Sequence, residues 1–150
     1  MNLAGSIPAY VVDTSVALKW FVERSEAHVL QARQLRDAYL SGQCTLRAPD
    51  FLLLEIANAL TTAHRYKTDK VEQALDAVGE VGIQLDTLSA HTLVQAVELA
   101  SYLMVTVYDS YFLALAIQNH SKLVTADEKF LRKAGAHPNI IALRELRLPV

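Results

Sequence analysis

Four acids in this sequence sit among apolar neighbours, and any chemistry the chain performs is to be sought there first. Asp13 follows Val11-Val12, and Glu55 lies within Leu52-Leu53-Leu54-Glu55-Ile56-Ala57. Asp109 separates Val105-Thr106-Val107-Tyr108 from Ser110-Tyr111-Phe112-Leu113-Ala114, and Asp127 follows Leu123-Val124-Thr125-Ala126. Burying an unpaired carboxylate costs several kcal/mol, a large share of a domain's net stability. Little Arg or Lys stands near these acids in the sequence, so a metal ion is the expected counter-charge. Ligation by oxygen alone favours Mg2+ or Mn2+. Zn2+ sites bring His and Cys at fixed spacing, which the five scattered histidines and the single Cys44 do not show. The reaction that suits such a site is hydrolysis of a phosphodiester. One or two ions would polarise a phosphoryl oxygen, lower the pKa of a bound water and stabilise the leaving oxygen.

Each acid also has a structural reading when taken alone. Asp13 can cap the short helix that follows it. Thr106-x-x-Asp109 resembles a capping box, with Asp in place of Glu. Asp127, just before Glu128-Lys129-Phe130-Leu131, suits the first turn of a helix, where the dipole favours an acid. Glu55 has apolar residues on both sides, yet a helix edge could bring it to solvent. The joint pattern carries more weight than any one member.

These acids must be positioned by secondary structure, and the apolar periodicities supply it. Ala9–Val12 reads as a buried strand ending at Asp13, with a short helix through Val16–Phe21 after it. Helical spacing runs from about Ser25 to Leu40, stopped by Ser41-Gly42. Cys44–Ala48 is a second strand closed by Pro49, and Phe51–Leu60 a buried helix capped by Asp50. Thr68 opens a helix that runs to about Val81, before Gly82. Ile83–Leu88 alternates as a third strand would, and Ser89–Leu103 and Tyr108–Asn119 are helical. Lys122–Thr125 is a fourth strand, Asp127–Ala134 a helix closed by Gly135, and Ile140–Leu143 a fifth strand. Strands alternating with helices imply crossovers and an α/β fold with a parallel sheet. In such sheets functional groups gather at the carboxyl ends of strands, where Asp13 and Asp127 are expected.

Composition narrows the class. The 150 residues suit a single domain, 1–150, with no linker, repeat or low-complexity stretch. One cysteine excludes an internal disulfide framework and fits a reducing cytoplasm. The first ten residues hold no Lys or Arg and no long apolar core, so no export signal is expected. No apolar run reaches the roughly 20 residues of a membrane span, so no membrane association is expected. With 14 basic against 16 acidic residues, the chain cannot hold nucleic acid through bulk positive charge.

With the four acids in this order, the chain resembles a PIN domain, in particular the toxin half of a VapBC-type toxin–antitoxin pair. The resemblance rests on Val11-Val12-Asp13-Thr14-Ser15-Val16-Ala17-Leu18-Lys19-Trp20-Phe21, on Leu54-Glu55-Ile56-Ala57-Asn58-Ala59-Leu60, on Val107-Tyr108-Asp109-Ser110-Tyr111-Phe112-Leu113-Ala114-Leu115-Ala116, and on Leu123-Val124-Thr125-Ala126-Asp127. It implies a three-layer α/β/α sandwich around a parallel sheet and a Mg2+- or Mn2+-dependent endoribonuclease. The family's four acids fall on Asp13, Glu55, Asp109 and Asp127, and its small hydroxyl residue before the last acid on Thr125. Thr14 or Ser15 would add a hydroxyl near the metal. Similar proteins cut RNA, form homodimers and are blocked by a cognate antitoxin protein.

Other readings compete. A phosphatase of the haloacid-dehalogenase type needs a second Asp two residues after the first, where this chain has Ser15. A related nuclease in RNA processing, or one acting on DNA, would use the same metals. A non-catalytic acidic module would use all four acids as caps and surface groups. Trp20 could stack on RNA bases, although an aromatic in a short amphipathic helix more often belongs to the core. His64-Arg65-Tyr66-Lys67 suits a solvated helix end, and Lys129, Arg132 and Lys133 read as ordinary surface. Leu93, Val97, Ala100 and Leu103 suit either a dimer face or the core.

Overall fold

The computed structural model describes residues 5–22 and 27–148. Its centre is a five-stranded sheet made of β1 (Ala9–Val12), β2 (Thr45–Pro49), β3 (Gln84–Asp86), β4 (Lys122–Thr125) and β5 (Ile140–Ala142), in the spatial order β3-β2-β1-β4-β5. Every neighbouring pair is parallel. Val11 and Val12 in β1 and Leu123 and Val124 in β4 are essentially inaccessible. Such runs of consecutive buried residues, rather than alternation, mark strands covered on both faces.

Parallel neighbours require crossovers, and the helices supply them. The β1–β2 connection carries α1 (Thr14–Ala17), a 3-10 turn (Leu18–Trp20) and α2 (Val29–Leu40). From β2 to β3 run α3 (Leu52–Thr62) and α4 (Thr68–Val81), and from β3 to β4 run α5 (Ala90–Leu103) and α6 (Val107–Gln118). The short α7 (Glu128–Ala134) leads into β5. Because the chain first steps outward through β2 and β3 and then returns to the other side of β1, right-handed crossovers place the two sets of helices on opposite faces. The expected three-layer α/β/α sandwich follows.

The helix α6 lies across β1, β2 and β4, and Ser110 to Ala116 are all buried. A helix apolar all round belongs inside, and α5 covers its outer side. Small residues let the two approach: Ala96 and Ala114 are fully buried, and Ser110 Oγ donates to the Ala96 carbonyl at 2.7 Å. Phe51, just ahead of α3, meets Tyr111 and Phe112 edge-on with centroids 5.3 Å apart. None of the single helices among the described residues is long and apolar enough to cross a membrane.

Several local expectations need correction. The helix expected from about Ser25 begins at Val29 in the described chain, and Ser25 itself lies outside the described residues. The segment after Asp13 divides into α1 and a 3-10 turn rather than one helix through Phe21. Asp50 does not cap α3, whose first turn has no side-chain cap; Asp50 offers its backbone carbonyl to the Leu53 N–H instead. The third strand is confined to Gln84–Asp86. Trp20 is buried and donates from Nε1 to the Ala32 carbonyl at 2.8 Å, so it serves the core and not base stacking. The α5 stripe splits: Ala100 is buried while Leu93 and Val97 are exposed.

This packing makes a stability prediction. Phe112 is 1% exposed and Leu30 is 68% exposed. Phe112→Ala is expected to lower the unfolding free energy by about 3–5 kcal/mol, and Leu30→Ala to stay within about 0.5 kcal/mol of the parent. Urea denaturation distinguishes them, and equal midpoints for the two variants would contradict this core assignment.

Candidate functional site

At the centre of the sheet the chain reverses its direction of travel: β1 feeds a crossover to one side and β4 a crossover to the other. A crevice opens at the carboxyl ends of strands at such a reversal. Asp13 is placed there by strand register. Val12 pairs with Val124, and the ladder continues one step, with the Asp13 N–H donating to the Val124 carbonyl at 3.0 Å. Asp13 and Thr125 are then the next pair along, with side chains on one face. Accordingly Thr125 Oγ1 donates to Asp13 Oδ2 at 3.0 Å.

The same carboxylate oxygen caps α1. Asp13 Oδ2 accepts from the Ser15 backbone N–H at 3.3 Å and from Ser15 Oγ at 2.5 Å. Ser15 Oγ and Thr125 Oγ1 are themselves anchored, accepting from the N–H groups of Ala126 and Asp127 at 3.0 and 3.1 Å. Every hydrogen bond to the Asp13 side chain from the described residues lands on Oδ2. The other oxygen is left for a different partner.

The remaining acids arrive from three helix starts. Glu55 stands in the first turn of α3, which packs against α1, and its Oε1 accepts from Thr14 Oγ1 at 2.9 Å. Asp109 stands in the first turn of α6, where its N–H is capped by Thr106 Oγ1 at 3.1 Å. The reciprocal bond of a capping box, from the Thr106 N–H to the Asp109 carboxylate, is not among those the described residues form. Ser110 pins this turn to α5, so the carboxylate is held without being consumed as a cap. Asp127 does cap α7, its Oδ1 accepting from the Phe130 N–H at 3.1 Å.

Electrostatics links the four acids pairwise through Asp109. Burial is the main cause that pushes the Asp13 carboxyl up, to about 6, and the charge of Asp109 adds to it against the opposing pull of the Ser15 and Thr125 hydroxyls. Glu55 is also raised, first by burial and then by Asp13 and Asp109, while Thr14 opposes. For Asp109 burial again leads, Asp127 raises it further, and Thr106 and Lys129 pull it down. Each acid therefore feels or imposes the charge of another, and like charges confined together disfavour ionisation.

The donor set is all oxygen, and its mutual repulsion is what a dication would relieve. As the side chains stand, no three His, Cys, Asp or Glu residues among those described are gathered closely enough to hold one ion together. A hard cation such as Mg2+ keeps several waters and takes only one or two carboxylates directly, so it does not require three. The free Asp13 oxygen and the uncapped Asp109 carboxylate are the available donors.

All seven residues marked out in the sequence, Asp13, Thr14, Ser15, Glu55, Asp109, Thr125 and Asp127, are brought to this end of the sheet. A residue the sequence reading placed on ordinary surface, Lys129, faces the site as well; its closeness to Asp127 in the chain was the available signal. A larger groove of about 630 Å3 runs between α2 and the C-terminal segment, along Gln31, Asp37, Arg144 and Arg147. It gathers no comparable acid cluster, so chemistry rather than size locates the site.

Residues 10–136 match the sequence model of a family described as PIN domain. Among solved structures, the chain is similar to a toxin–antitoxin complex from Klebsiella pneumoniae at 16% identity, covering 91% of this chain and 99% of that one with a TM-score of 0.64. It is similar to PAE2754 from Pyrobaculum aerophilum at 21% identity, covering 93% and 92% with a TM-score of 0.62. A third is VapBC2 from Rickettsia felis bound to a DNA fragment from its promoter, at 17% identity, covering 89% and 96% with a TM-score of 0.63. At these identities the likeness is one of fold. No curated protein matches the chain.

The raised value at Asp13 has a consequence for stability. The folded protein holds this proton more tightly than the unfolded chain, so the stabilisation from protonation is complete below pH ~4 and is lost as pH rises through about 6. From 3.8 to about 6, the free energy involved is about 3 kcal/mol. In EDTA, Asp13→Asn is expected to be the more stable protein at pH 7.5, by up to that amount, and to lose most of the advantage by pH ~4. Urea midpoints at both pH values decide it; a gap of the same size at each would rule out titration of Asp13 as the cause.

Proposed function

Since the chain belongs to the PIN-domain family, we propose that it is a Mg2+- or Mn2+-dependent endoribonuclease acting as the toxin of a VapBC-type toxin–antitoxin pair. The observation that carries this reading is the convergence of Asp13, Glu55, Asp109 and Asp127 at the central strand ends, in surroundings that raise the first three. Neither a set of helix caps nor a solvated acidic face accounts for it, because Asp13 is 9% exposed and its second oxygen is unclaimed. Bound to these oxygens, the metal would supply Lewis acidity toward a phosphodiester and an activated water.

In this reading Asp13 and Asp109 are direct ligands. Ser15 and Thr125 hold the Asp13 carboxylate by one oxygen and orient the other toward the ion. Glu55, fixed by Thr14, and Asp127, fixed at the head of α7, complete the site directly or through water, where either can accept a proton from the attacking water. Support for RNA as substrate and for an antitoxin partner comes from the family resemblance and from structural neighbours that include toxin–antitoxin complexes. A homodimer is part of the same proposal, and Leu93, Val94 and Val97 leave an apolar stripe exposed on α5 for it.

The test is cleavage of a defined single-stranded RNA and its DNA counterpart, with and without Mn2+. RNA cleavage is expected only with metal, to be abolished by EDTA, and to fall at least about 100-fold in Asp13→Asn or Asp109→Asn. Circular dichroism should show both variants folded. Mn2+ should raise the melting temperature of the parent and leave that of either variant nearly unchanged. Full activity in either variant would refute its role, and cleavage of DNA alone would reassign the substrate.

A further inference from the structure

Beside the acids, a cleft of about 180 Å3 is lined by Met104, Thr106 and Asp109 from the α5–α6 corner and by Asp127, Lys129 and Lys133 from α7 and its cap. We propose that this cleft is a phosphate subsite, in which Lys129 and Lys133 hold the RNA backbone phosphate next to the one cleaved. The inference rests on the nuclease reading of the acid cluster and extends it to how the substrate is seated.

The sequence of α7 sets up the ledge. Phe130 and Ala134 are buried and fix the helix's rotation, leaving Lys129 and Lys133, four residues apart, together on an exposed face. Lys133 Nζ donates to the Met104 carbonyl at 3.1 Å. That bond tethers the ammonium at the lip of the cleft and leaves it two further donors. Glu128, the acid nearest Lys129 in the helix, is turned away and accepts from Arg144 at 2.6 Å.

Charge then argues for an anion between the walls. Among the described residues neither ammonium lies within ion-pair distance of a carboxylate. Lys129 is nonetheless near enough for its charge to favour ionised Asp109. Two ammonium groups and two carboxylates thus line one cleft without an ion pair between them. A dication at the acids and a phosphate at the lysines satisfy both, and one phosphodiester strand can span them. The chain's net charge of −2 supplies no general attraction for RNA, so local cations at the rim must offset the repulsion of the acid cluster.

The experiment measures binding of a fluorescein-labelled single-stranded RNA by anisotropy, in Mg2+, using the full chain with Asp13→Asn to prevent cleavage. Salt is varied from about 50 to about 200 mM. Adding Lys129→Gln and Lys133→Gln together is expected to weaken Kd at least about tenfold at the lower salt and to reduce the slope of log K against log salt by about 0.7 to 1.4. Arg132→Gln, on the same helix and outside the cleft lining, is the control and should leave both unchanged. Unchanged affinity and slope in the double variant would overturn the subsite while leaving the nuclease reading intact. An equal loss in Arg132→Gln would overturn it too, by showing only a general charge effect. If the Asp13→Asn parent binds no RNA at the lower salt, the lysines hold no phosphate by themselves and the subsite is overturned, while the nuclease reading is decided separately by the cleavage assay.

Discussion

The structure depends on a conflict it does not resolve internally: four carboxylates, one buried and three partly exposed, held at the carboxyl end of a parallel sheet. Burial first, and then their mutual repulsion, raises Asp13, Glu55 and Asp109 together. An Arg placed among them would settle the conflict and leave an inert ion pair. The chain instead surrounds Asp13 with hydroxyls and backbone N–H groups, which orient an anion without neutralising it. The unspent negative potential is what gives a divalent cation something to bind.

Holding such a cluster in place is the work of the rest of the fold. Asp13 is an extension of the β1–β4 ladder, so its position is set by the same register that pairs Val12 with Val124. Glu55, Asp109 and Asp127 each stand at the start of a helix anchored by buried residues, and each start is fixed by a separate bond: Thr14 to Glu55, Ser110 to Ala96, Asp127 to Phe130. Glu55 and Asp109 are thus carried by helices, and Asp13 and Asp127 by the caps that join a strand to a helix. The cost of the cluster is met by the core beneath it, above all by α6, which is buried through most of its length.

Much of this was legible in the sequence because each signal was local. The five strands and seven α-helices of the described residues could be placed from apolar periodicity, and Gly82, with φ of 71°, marks a helix end where a left-handed residue is needed. The end of α5 at Leu103 carries no such mark, since Met104 adopts φ of 57° without being glycine. The residue type of Asp50 suits a cap, yet its backbone N–H is engaged with β3 through the Asp86 carbonyl. The site residues were found for a different reason: acids inside apolar runs violate a rule that folding otherwise enforces. What the sequence could not convey was contact across the sheet. That Thr14 reaches Glu55, or that Ser15 joins Asp13 to the β4–α7 turn, depends on register and helix packing between segments far apart in the chain.

The same limit explains Lys129 and shows why distance matters at this site. Read along the chain, it is one of several charges on a short helix. In the fold it faces Asp109, near enough to favour that carboxylate's ionised form yet outside contact distance. An ammonium in contact would occupy the oxygen that an ion needs, and one placed much farther off would be screened by water and salt. Lining the same narrow cleft, it partly offsets the burial and the Asp127 charge that raise Asp109, without pairing with it. An acid cluster that must both bind a cation and admit a polyanion needs this separation: the opposite charges have to be close enough to act on one another and too far apart to pair.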